Sequence, residues 1–221
     1  MSRTYARTIL AALVFALGCL APTVSQASWL VGLDEVQLSG AKYTFNDNLT
    51  NPSNSGSMVG TDLVLEWLPS NRFGIEADYG VLPLERRYQL GTAGAISNNV
   101  TERATPALLG ANLYLTPNDK PGIHPTFGVA YGQLDVRQQF DGGTLGHLVT
   151  HNTVPINVLK LGLEWVFGSA VFGGGPSSFG VLRLQYQAWT GGRVNTSAIT
   201  GVRQELDYNS SAIVLGAAAS F

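Results

Sequence analysis

The sequence predicts an all-β protein, an eight-stranded antiparallel up-and-down β-barrel that crosses a membrane. Three observations predict it. Eight segments of alternating side-chain character are separated by turn-forming stretches. Past residue 27, no apolar run reaches the roughly 18 residues that a membrane helix needs. Charged residues make up only 13% of the chain, against ~25% in an ordinary soluble domain, while 26 of the 221 residues are glycine.

The N-terminal segment reads as an export signal. Arg3 and Arg7 are followed by an uncharged apolar stretch from Ile9 to Ala21, and Ser25-Gln26-Ala27 places small residues at a cleavage site. The segment is too short and wrongly flanked for a membrane span. The expected organisation is therefore a cleaved signal peptide over 1–27 and a barrel over 28–221. Cys19, the single cysteine, falls inside the signal. The mature chain then has no thiol for a disulfide, a metal or a nucleophile. With Arg3 and Arg7 removed, 11 basic residues face 15 acidic ones, which gives no electrostatic case for nucleic acid.

The candidate strands are 29–46, 58–68, 73–90, 99–115, 123–140, 152–167, 179–193 and 204–221. The first runs from Trp29 toward Tyr43 and Phe45. In the second, Leu63, Leu65 and Trp67 alternate with Asp62 and Glu66. In the third, Phe73, Ile75, Ala77, Tyr79 and Val81 alternate with Gly74, Glu76 and Asp78. The fourth sets Leu109, Ala111, Leu113 and Leu115 against Gly110 and Asn112. The fifth carries Phe127 beside Gly128, Ala130 and Gly132. The sixth sets Leu159, Leu161, Leu163, Trp165 and Phe167 against Lys160, Gly162 and Glu164. The seventh sets Leu182, Leu184, Tyr186 and Ala188 against Arg183, Gln185 and Gln187. The last sets Ile213, Leu215, Ala217, Ala219 and Phe221 against Val214, Gly216, Ala218 and Ser220.

An even strand number places both termini on one side. The connections at 69–72, 116–122 and 168–178 are the more compact set, and those at 46–57, 91–98, 141–150 and 191–203 are polar and wide. Short periplasmic turns and longer outer loops are the pattern of bacterial barrels, so both termini are expected in the periplasm. Trp29, Trp67, Phe73, Phe127, Trp165, Phe167 and Phe221 stand at periplasmic strand ends as a candidate aromatic girdle, with Tyr114 and Phe179 nearby on the other parity. Tyr43, Phe45, Tyr88, Phe140, Trp189 and Tyr208 stand toward the outer ends. Aromatic rings are favoured at both membrane interfaces.

The parity that is free of charge is assigned to lipid. The other carries Asp62, Glu66, Glu76, Asp78, Lys160, Glu164 and Arg183 together with many small residues. A soluble barrel would turn this parity to water, where nothing asks for glycine. In an eight-stranded membrane barrel the interior is barely wide enough for side chains, so small residues make room for long charged ones. These seven residues are the expected polar network of the lumen. Buried charges are tolerated when paired, which favours a plug in which Lys160 and Arg183 meet the carboxylates. The alternative is a narrow pore with an acidic, cation-favouring lining.

Signals for chemistry are thin. His124 is followed by Pro125-Thr126 and His151 by Asn152-Thr153, and neither gives the His-x-Ser that a lipid A deacylase resemblance would need. His147 and His151 lie four apart in a glycine-rich hairpin loop, where a metal would need a third ligand for which Asp141 is a distant candidate, so they read as solvated loop histidines. No catalytic residue, metal or cofactor is assigned.

Thr105–Leu115 and Ile123–Gly132 resemble consecutive strands of OmpA-like and OmpW-like small outer-membrane barrels, although Thr126-Phe127 departs from the Pro-Tyr start of the latter strand, and with Phe221 the whole mature chain resembles the OmpA/OmpX/OmpW-like barrels. A last strand ending on Phe221 is similar to the segment that the barrel-assembly machinery reads. The resemblance implies the bacterial outer membrane, with lipid and lipopolysaccharide, the assembly machinery and an extracellular ligand as candidate partners. It implies a non-catalytic structural or surface-interaction role, or narrow small-solute passage. The alternative is a lipid A-modifying enzyme. No peptidoglycan-binding segment is expected after the barrel.

Overall fold

The computed structural model describes residues 28–39, 42–45, 58–90, 98–142, 146–168, 179–191, 193–195 and 204–220. The expected signal peptide at 1–27 with Cys19, the stretches 46–57, 91–97, 169–178 and 196–203, and Phe221 lie outside the described residues. The strands are β1 (Ser28–Ser39), β2 (Lys42–Phe45), β3 (Met58–Ser70), β4 (Phe73–Leu90), β5 (Asn98–Tyr114), β6 (Gly122–Gly142), β7 (Gly146–Gly168), β8 (Phe179–Gly191), β9 (Arg193–Asn195), β10 (Gln204–Asp207) and β11 (Ser210–Ser220). Eight of them close into a barrel in the order β1-β11-β8-β7-β6-β5-β4-β3. Every neighbouring pair is antiparallel. Closure is completed by β1 on β11, from Leu30 opposite Ser220 to Ser39 opposite Ser211. It leaves no barrel edge to be satisfied by water or another chain.

The strand reading needs two corrections. The expected strands 29–46, 179–193 and 204–221 each divide between two sheets. Their upper pieces, β2, β9 and β10, form a three-stranded sheet in the order β2-β10-β9, which continues the β1-β11-β8 order below it. Second, β7 begins at Gly146 rather than 152, and β6 and β7 pair up to Gly142 opposite Gly146. The wide loop expected at 141–150 is therefore mostly ladder. Its inward side chains explain why: Phe140 and Leu148 pack on the interior cluster, and Thr150 donates to Gln138 at 3.4 Å.

The alternation changes chemistry partway along β6 and β7. On β7, outward Leu159, Leu161, Leu163 and Trp165 face away from inward Lys160 and Glu164. Above Leu159 the same parities swap: Asn157, Thr153 and His151 are outside, and Val158, Ile156 and Val154 are inside. On β6, outward Phe127, Val129 and Tyr131 give way to Gln133, Asp135 and Arg137, while Leu134, Val136 and Phe140 turn inward. The lower barrel is apolar outside and charged inside. The upper barrel is polar outside with an apolar core.

Candidate functional site

The charge layer fills the lower lumen, and each member arrives there by strand alternation. Asp34 (β1), Asp62 and Glu66 (β3), Glu76 and Asp78 (β4), Lys160 and Glu164 (β7) and Arg183 (β8) are all buried. The structure thus places all seven sequence-selected lumen residues in one interior layer and adds Asp34. One guanidinium organises the layer. Arg183 Nε donates to Glu164 at 3.0 Å, Nη1 to Asp34 at 3.3 Å and to Glu76 at 3.0 Å, and Nη2 to Glu66 at 3.1 Å. Lys160 Nζ donates to Asp78 at 2.5 Å and also to Glu76.

Neutral donors complete it from β5. Asn112 Nδ2 donates to Glu66 at 3.0 Å and to Glu76 at 2.9 Å, and the Tyr114 hydroxyl donates to Glu66 at 3.1 Å. Each cation therefore sits among several acceptors, which is the condition for a buried charge to persist. Room comes from close-approach glycines. A Cβ on Gly216 would fall on the Asp34 carboxylate, and one on Gly74 would fall on that of Glu66.

Apolar layers flank the charge layer above and below. Below lie Leu30, Leu68, Tyr114, Val166 and Val181, with Phe179 packed against them. Above lies a larger cluster that includes Leu134, Phe140, Ile156, Trp189 and Tyr208. Within it, Glu102 accepts from the Tyr208 hydroxyl at 2.9 Å and from Gln138 at 3.0 Å. At the turn between β5 and β6, His124 Nε2 donates to the Lys120 carbonyl and its Nδ1 accepts from Thr116, both at 2.9 Å. His124 is thus a turn residue.

The outer wall carries the girdle, with changes. Trp29 and Trp67 are opposite one another on β1 and β3 with centroids 6.4 Å apart. Trp165 and Phe167 meet edge to face at 5.9 Å. Trp29, Trp67, Phe127 and Trp165 are exposed on the wall and Phe167 is half-buried.

Phe73 does not join them, being only 7% exposed. It follows the turn at Asn71-Arg72, onto which the next turn is tied by Tyr114 N to Arg72 O at 2.9 Å and Asn118 N to Asn71 O at 2.8 Å. Tyr114 also points inward, with its hydroxyl on Glu66. Phe140, Trp189 and Tyr208, expected at the outer belt, are instead buried in the upper core. The side chains of Tyr43, Phe45 and Tyr88 lie outside the described set. The outer rim of the apolar band is marked by Tyr79, Tyr131 and Tyr186, all exposed. From Leu159 to Phe167 the band spans eight steps, about 27 Å along the strand. With a tilt near 40°, that is about 20 Å of height, close to the ~25 Å apolar band of membrane barrels.

His147 and His151 lie on the outward face of β7. His147 Nδ1 donates to Asp141 at 2.6 Å. This bond first, then one from Gln139, holds the Asp141 carboxyl below its usual range. His151 stands opposite Arg137 of β6, which stands opposite Arg103 of β5. Among the described residues no group of three or more His, Cys, Asp or Glu side chains is arranged to hold a metal.

No protein-family model matches the chain, and no curated protein sequence does. Several solved structures are similar in shape. Ail, the attachment invasion locus protein of Yersinia pestis, is 10% identical over 89% of this chain and 100% of its own, with a TM-score of 0.46. Neisserial surface protein A is 16% identical over 89% and 98%, with a TM-score of 0.42. The outer membrane protein AlkL is 12% identical over 91% and 92%, with a TM-score of 0.45. By its own strand order and its inverted polarity, the chain folds as an eight-stranded outer-membrane-type β-barrel.

Proposed function

We propose that this protein sits in a bacterial outer membrane with both termini in the periplasm. We further propose that it works there as a sealed, non-catalytic barrel acting through its outer surface. The observation that carries this reading is the layered lumen: apolar below, ion-paired in the middle, apolar above, with buried side chains at every level. A solute path would have to break buried charge pairs and a packed core together, so passage is the weaker of the two expected roles. The length of β6 and β7, 21 and 23 residues, exceeds the roughly 9–11 that span a membrane. The surplus forms a rigid, polar-coated platform outside the bilayer, which suits contact with the cell's surroundings.

The test is planar-bilayer recording of the purified chain, paired with lipid A mass analysis on overexpression. No stepwise conductance and unchanged lipid A masses are expected. An ohmic channel in the unmodified protein would restore the pore reading. A lipid A mass shift abolished by His151→Ala would replace the non-catalytic one.

A further inference from the structure

We infer that the lumen holds one monovalent metal cation, of the size of sodium or potassium, at the carboxylate of Asp62. This site is separate from the surface role just proposed. Asp62 is only 4% exposed, and its Oδ1 is buried without a hydrogen-bond partner. Neither cationic side chain of the charge layer reaches it. Lys160 is held by Glu76 and Asp78, and Arg183 by Asp34, Glu66, Glu76 and Glu164. A carboxylate taken out of water persists only where an opposite charge meets it.

The rung that carries Asp62 deepens the deficit. Asp34 of β1 stands directly opposite Asp62 of β3, and both turn inward. Like charges so placed destabilise a strand pair. Glycines flank the two acids along the rung, Gly216 of β11 opposite Asp34 and Gly80 of β4 opposite Asp62. Neither glycine brings a side chain to answer the charge. Asp78 of β4 is diagonal to Asp62, with Oδ2 on Lys160 and Oδ1 also buried without a partner. The layer therefore sets the carboxylates of Asp34, Asp62, Glu66, Glu76, Asp78 and Glu164 against Lys160 and Arg183 alone among the described side chains.

Chemistry selects the occupant. Carboxylate oxygens are hard donors and suit hard cations. Calcium asks for about 6–8 oxygens, yet the backbone carbonyls here belong to the barrel ladders. No group of three or more acids among the described residues is arranged around a metal. Asp62, with the charge of Asp34 beside it, suits a singly charged ion that keeps part of its water. A proton on Asp62 would need an acceptor for its O–H. Asp34, its register partner, turns the other way: Oδ1 lies over Gly216, and Oδ2 accepts from Arg183 at 3.3 Å.

Urea unfolding of the full chain in detergent micelles tests this, at fixed pH and ionic strength, with sodium or potassium replaced by N-methylglucamine. A site half-filled at about 10 mM shifts the folding equilibrium by on the order of ten-fold at about 100 mM cation. That shift is expected with the metal ion and not with the bulky amine. Asp62→Asn removes the charge, so it should abolish the shift and be at least as stable as the parent in N-methylglucamine. Asp135→Asn, exposed on the outer face of β6, should keep the shift. Equal stability of the parent in all three cations, or an undiminished shift in Asp62→Asn, would overturn the inference. Parent stability that follows pH and ignores the cation would assign the charge to a proton and overturn it too. Rubidium anomalous scattering from crystals of the unmodified chain should give a peak at Asp62, and a lumen without one would count against the site even if Asp62→Asn failed to fold.

Discussion

Arg183 Nη1 donates to Glu76 Oε2 at 3.0 Å, although β8 and β4 stand diametrically opposed in the barrel, four strand positions apart in either direction. The bond crosses the lumen. Together with Lys160 on Glu76 and Asp78, it braces opposite walls that no backbone ladder joins.

Removing that brace leaves four buried carboxylates without their shared cation. Arg183→Leu should therefore cost about 3–5 kcal/mol, read as a lower urea midpoint for loss of the heat-modified band. Arg183→Lys keeps the charge but loses the fork that reaches four acceptors, and should fall between. An Arg183→Leu barrel as stable as the parent would refute the bracing role.

The glycines that admit the charge layer are equally testable. Gly216→Ala sets a methyl on the Asp34 carboxylate and should cost about 1–3 kcal/mol through overpacking. Adding Asp34→Ala should recover much of that loss, because the two sites share one volume. A double-mutant cycle measures the coupling. Additive losses would mean that the contact is not what makes Gly216 necessary.

The swap of polarity at Leu159 predicts where lipid ends. Leu161→Arg puts a cation in the apolar band and should cost about 2–4 kcal/mol in folding into vesicles. Thr153→Arg, six residues above Leu159 on the same outward parity, should stay within about 0.5 kcal/mol. Equal costs at the two sites would place both in one solvent.

The Tyr208 hydroxyl reaches Glu102 from the far wall at 2.9 Å. Tyr208→Phe withdraws a donor from a buried carboxylate and should cost about 1.5–3 kcal/mol. The loss should appear as faster amide exchange in β11 and the upper part of β5, with the lower lumen unaffected.

At the tip of β6 and β7, the depressed Asp141 carboxyl sets a pH dependence. The folded state resists protonation there, so the contribution of the His147 contact is present above the ordinary carboxyl value of about 4. It is lost as pH falls through the lower folded value. Amide exchange at residues 146–149 should rise as pH drops from about 5 through that range. His147→Ala should flatten the dependence, and a rise that persists in the variant would assign it elsewhere.

Much of the lumen was legible because charges stand out against an apolar alternation: Glu66, Glu76, Lys160 and Arg183 each break the hydrophobic pattern of their strands. Asp34 was missed, although it shares parity with Leu30, Val36 and Leu38. A single acid in an apolar inward run reads as noise until its partner from β8 is known. Phe140, Trp189 and Tyr208 were placed on the wrong side of the wall. An aromatic near a strand end is ambiguous between interface and core, and only register and the height of the bilayer edge decide.

The sequence alone determined that this chain is a barrel whose faces differ, because a period of two and the distribution of charge are properties of neighbouring residues. Tertiary structure alone decided that the faces exchange chemistry above Leu159, that one arginine serves four acids, and that apolar clusters lie on either side of that charge layer. These depend on which strands stand opposite and by how many residues they are sheared, and no local pattern encodes a distance across the axis.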